Sequence, residues 1–82
     1  METLLHGSLT NEGLEVVQRD AHYFVRYDAG SHLVQWREDE ITEEEFRQVA
    51  DSKESCVKVM FEIQKRLIAT GVDPYTSNWN PS

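Results

Sequence analysis

From Thr42 to Gly71 the chain carries one nearly unbroken helical pattern, and any fold it adopts must bury the apolar side of that pattern. Cys56, Met60, Ile63 and Leu67 recur at steps of four, three and four, the spacing of one helix face. Thr42 followed by Glu45 is a capping-box pair, in which each side chain satisfies a backbone N–H of the other residue. Glu43, Glu44 and Glu45 fall in the first turn, where the helix dipole favours negative charge by about 0.3–1 kcal/mol each. Gly71 is suited to end the segment, with Pro74 soon after.

Carried backward, the stripe meets Lys53, and Asp51 with Glu54 forms a second cap-like pair. The pattern therefore predicts a short helix at about 43–50 and a longer one at about 52–70, with a single bent helix as the alternative.

The surface that covers the stripe has to come from the N-terminal half. Leu14–Arg19, His22–Tyr27 and His32–Arg37 read as three strands, the second dense in aromatic and β-branched residues. Asp20-Ala21 is a tight connection, and 28–31 is a hairpin loop in which Gly30 is suited to a left-handed position. The expected fold is α+β: a three-stranded antiparallel meander packed on one face by the C-terminal helical segment. Alternation puts Leu14, Val16, Tyr23, Val25, Tyr27, Val34 and Trp36 against the helices. The opposite face takes Glu15, Val17, Arg19, His22, Phe24, Arg26, Leu33, Gln35 and Arg37. Val17, Phe24 and Leu33 make that face too apolar for a bare solvated one, so the N-terminal segment, the tail or another chain is expected to cover it.

One domain is expected over residues 1–82, with 1–12 a weakly patterned N-terminal segment and 72–82 an irregular tail interrupted by Pro74 and Pro81. Residues 1–12 carry neither a basic n-region nor a long apolar run, and nothing in the chain is long and apolar enough to span a bilayer, so a cytoplasmic protein is expected.

The formal charge is −7, from fifteen acids and eight bases. No basic patch suited to phosphate is present, which argues against nucleic acid and for a basic partner. Catalysis is not expected. Cys56 lies on the buried stripe, and His6, His22 and His32 are scattered over three segments, so neither a metal site nor a nucleophile–base pair is indicated. The four glycines are isolated, so no phosphate loop is present, and no cofactor is expected.

The residues left for function are acids and large apolar side chains. Six of the eight residues from Glu38 to Glu45 are acidic, and Glu38, Asp39, Glu40, Glu43 and Glu44 are the candidate rim for a cationic partner. Phe24, Leu33, Tyr75 and Trp79 are the candidate anchors, the last two being large residues in a tail otherwise made of turn formers. Short, acidic and without catalytic groups, the chain is similar in type to small immunity proteins and antitoxins that block nuclease toxins. That likeness implies a binding protein that neutralises or regulates a basic protein partner. The alternative expectation is a homodimeric structural or accessory module, joined through the outer sheet face.

Overall fold

A computed structural model describes residues 1–30 and 32–81. Among the described residues the chain is α+β, with four strands rather than three. They are β1 (Glu2–Ser8), β2 (Leu14–Arg19), β3 (His22–Asp28) and β4 (Trp36–Ile41), all antiparallel and in the order β1-β2-β3-β4. The helices are a single turn, α1 (Leu9–Glu12), then α2 (Glu43–Asp51) and α3 (Lys53–Ala69). Residues of α2 and α3 share a buried core with one face of the sheet.

The additional strand comes from the segment with little pattern. Register along β1 shifts between Leu4 and His6, so its alternation is broken at Leu5. Gly7 continues the strand at φ 77, where a Cβ would stand 2.5 Å from the Leu14 carbonyl oxygen; only glycine fits. Ser8 then caps α1 by accepting from the Asn11 N–H.

The last strand is also displaced. It was expected at 32–37, but pairing with β3 begins at Trp36 and runs into the acids as far as Ile41. Residues 29–35 form the connection, in which Ser31 lies outside the described residues. What demands glycine at position 30 is close approach, since a Cβ there would collide with the Leu33 carbonyl. The shift also inverts the facing of β4. Tyr27 pairs with Arg37, Val25 with Asp39 and Tyr23 with Ile41, so Arg37, Asp39 and Ile41 share the helix-covered face. Trp36 pairs with Asp28 and lies on the outer face, and Val34 is an exposed loop residue.

The helical segment is two helices. Thr42 and Glu45 make the capping box. Ser52 is both the end of α2 and the N-cap of α3, accepting from the Ser55 N–H, one residue beyond Asp51, to which the cap-like pairing with Glu54 points. Val16, Val25, Tyr27, Ile41, Val49, Val59 and Ile63 form the core, with Phe46, Cys56, Met60 and Leu67 partly buried against it. Phe46 stacks on Tyr23 at 5.4 Å between ring centroids, which pins α2 over β3. Each such aliphatic side chain contributes roughly 1.5–3 kcal/mol when fully buried.

Candidate functional site

Beyond α3 the tail returns to the sheet and closes the edge of β4. The buried Arg37 guanidinium is the anchor. It grips Asp39 through Nε to Oδ2 at 3.0 Å and Nη2 to Oδ1 at 2.8 Å. Its Nη1 donates to the carbonyl of Thr76 at 2.6 Å and, more weakly, to that of Asp73 at 3.4 Å. The Tyr27 hydroxyl donates to Asp39 Oδ2 at 2.5 Å. Burial, together with this bond to a carboxylate, holds the Tyr27 hydroxyl well above the usual tyrosine range.

Asn78 imitates a strand residue with its side chain. The Glu38 N–H donates to Asn78 Oδ1 at 2.8 Å, and Asn78 Nδ2 donates to the Glu38 carbonyl at 3.1 Å. The Trp36 carbonyl accepts from Ser77 Oγ at 2.8 Å and from the Asn78 N–H at 3.2 Å. Edge groups that would otherwise face water are thereby satisfied.

This docking brings Tyr75 to the β3–β4 connection. Tyr75, Leu33, His32, Gln35, Gly30 and Ala29 line a cavity of about 400 Å³. Leu33 is 74% exposed and Tyr75 56%, with Val34 exposed as well. Two carboxylates hold the backbone of the lining. Asp28 Oδ1 accepts from the N–H groups of Gly30 and Gln35, both at 2.9 Å. Asp73 Oδ1 accepts from the Tyr75 N–H at 2.9 Å, and its Oδ2 accepts from Thr76 Oγ1 at 3.0 Å. These bonds favour the ionised form and lower both carboxyl pKa values. The result is an apolar, solvent-facing hollow with two anions at its frame. Sequence reasoning did not single out Asp28 or Asp73. The available signal was an Asp followed by turn formers, which marks an Asx turn.

The acidic run does not remain one rim. Glu38 turns onto the outer sheet face, where it pairs with Arg19 and, at 2.8 Å, with Arg26. Arg26 also reaches Glu15 at 3.1 Å and Glu2 at 2.6 Å. Asp39 is held by Arg37 beneath the tail. Glu45 serves the helix cap and lies 3.3 Å from Arg66. Glu40, Glu43 and Glu44 stay exposed, with Glu40 2.7 Å from His22 Nδ1 and Glu43 paired with Arg47. The surface acids of the block are therefore these three, while Glu38 and Asp39 are neutralised internally.

The anchors divide in the same way. Leu33 and Tyr75 meet at the cavity. Phe24 and Trp79 lie at the outer face, where Arg19 sits over the Phe24 ring at 4.2 Å and Arg26 over the Trp79 ring at 4.4 Å. Val17, flanked there by Leu4 and Phe24, is 2% exposed. The chain's own arginines and tail thus occupy the face that the sequence left open to a cover.

A second, larger cavity of about 590 Å³ lies between the β1 end and the α2–α3 junction, with His6 and Cys56 among its lining residues. Burial pushes the Cys56 thiol up, the direction opposite to activation. Among the described residues no group of three His, Cys, Asp or Glu could hold a metal ion, and no helix is long and apolar enough to cross a membrane. Comparison with protein-family models, with curated proteins and with solved structures finds no match.

Proposed function

We propose that this chain is a small acidic binding protein that neutralises or regulates a basic protein partner in the cytoplasm, in the manner of an immunity protein or antitoxin acting on a nuclease-like toxin. The observation that supports it best is the hollow shared by the β3–β4 connection and the tail. Two large apolar residues, Leu33 and Tyr75, stand far apart in the chain yet line one exposed cavity. Asp28 and Asp73 hold its frame and keep their negative charge. A basic partner that inserts an apolar side chain between two cationic ones satisfies both features at once.

Glu40, Glu43 and Glu44 act at longer range. They are exposed at the other end of β4 and add to the field of a chain with charge −7. That field attracts a cationic surface before contact and raises the association rate at low salt. The apolar hollow then sets how long the complex lasts.

The test is affinity capture from the source cell with the wild-type chain and with Leu33→Ser and Tyr75→Ser. Both positions are exposed, so both variants are expected to keep the fold, which unfolding in denaturant checks. The reading expects a basic protein retained by the wild type and lost with either substitution. Retention of the same protein by all three chains, or capture of an acidic one at this site, rejects it.

A further inference from the structure

A different surface carries the opposite charge logic. On α3, Val57, Phe61, Gln64 and Ile68 follow steps of four, three and four and fall within about 60° of arc. This is a second seam, turned away from the core stripe, and it is open: Phe61 is 59% exposed and Ile68 60%. A stripe at this spacing is the one a second helix covers by knobs-into-holes packing.

The cations of the molecule decide which helix. All five arginines are engaged by carboxylates: Arg19 and Arg26 on the outer face, Arg37 with Asp39, Arg47 with Glu43 and Arg66 with Glu45. All three lysines of the chain lie on α3, and of these Lys65 is paired with Glu62 at 3.3 Å. Lys53 and Lys58 have no ion-pair partner among the described residues. Around the helix they lie on opposite sides of the N-terminal part of the open stripe, Lys53 about one turn before Val57 on the side that Gln64 continues, and Lys58 on the side of Phe61. Within a chain of charge −7, α3 alone has an excess of base, four cations against two acids. The N-terminal end of the stripe opens onto the 590 Å³ cavity, whose lining includes Lys53, Val57 and Met60 and offers room for a side chain of the covering helix.

We propose that the Val57–Phe61–Ile68 seam of α3 is a docking surface for an acidic amphipathic helix of another protein, its apolar edge on the seam and its carboxylates on Lys53 and Lys58. A basic helix would meet those two lysines as like charges. This surface is separate from the hollow at Leu33 and Tyr75, so the two can be tested independently.

The experiment uses the full chain and two synthetic helical peptides with the same leucine seam, one flanked by Glu and the other by Lys. Peptide anisotropy gives affinity, and backbone amide shifts locate the site. The Glu-flanked peptide should bind at α3 about tenfold or more tightly than the Lys-flanked one. Phe61→Ser should weaken that binding by about tenfold or more. The double variant K53E/K58E should reverse the preference. These positions are exposed, and circular dichroism checks that the variants keep their fold. Equal binding of both peptides, absence of binding, or shifts confined to other elements would overturn the proposal. So would sedimentation showing the seam covered in a dimer of this chain, or preferential binding to phosphatidylglycerol vesicles over the Glu-flanked peptide.

Discussion

Arg37 and Asp39, two apart on β4, point to the same side of the sheet and close a two-bonded fork, with Nε 3.0 Å and Nη2 2.8 Å from the carboxylate oxygens. The fork is buried, Arg37 being 3% exposed, and its free Nη1 holds the tail by the Thr76 carbonyl. One charged pair thus joins the sheet, the Tyr27 hydroxyl and the segment that presents Tyr75.

Removing one partner leaves a buried charge unpaired. Arg37→Met is expected to cost about 3–5 kcal/mol in denaturant unfolding, a large part of the stability of a domain this size. The double variant R37M/D39V should cost clearly less than the sum of the two single changes, because neither charge is then stranded. Additive losses would mean that the fork does not act as a unit.

Acid should loosen the hollow before it unfolds the domain. The folded pKa values of Asp28 and Asp73 are depressed, so their stabilisation is complete above the unfolded value of about 3.9 and is lost as pH falls through the lower folded values. Amide exchange at Gly30, Gln35 and Tyr75 should accelerate in that window while the β2–β3 ladder stays protected. Simultaneous loss of protection everywhere would contradict this.

The helix start offers a local check. Thr42→Ala removes the acceptor for the Glu45 N–H and should lower stability by about 0.5–2 kcal/mol in chemical denaturation. Binding at the distant Leu33–Tyr75 hollow should be unchanged.

Leu33→Ser and Tyr75→Ser should behave in the opposite manner. Both side chains are largely exposed, so unfolding free energies should stay within about 0.5 kcal/mol of the wild type. A larger loss from either would show that these residues support the fold and would undercut their role as anchors.

The two long helices, the Thr42 cap and two of the strands were readable in the sequence because their signals are local. Thr42–Glu45 and the stripe ending at Leu67 need no knowledge of distant residues. β1 was hidden by the bulge at Leu5, which destroys its alternation. β4 was displaced because Val34 and Trp36 look like core residues while Arg37 and Asp39 do not. The charges of Arg37 and Asp39 become compatible with burial only through each other, Tyr27 and carbonyls of the tail. For the same reason Glu38 read as a surface acid, its two arginines standing on other strands. Leu33 and Tyr75 were conspicuous individually, but their meeting depends on how the tail docks.

The account is tested most directly by the rate at which the captured partner associates with this chain as ionic strength is raised, measured for the wild type and for E40K/E43K/E44K. The wild-type rate should fall steeply with salt, and the triple variant should associate more slowly at low salt with a flatter dependence. A wild-type rate indifferent to salt, or a triple variant that associates as fast as the wild type, would contradict it.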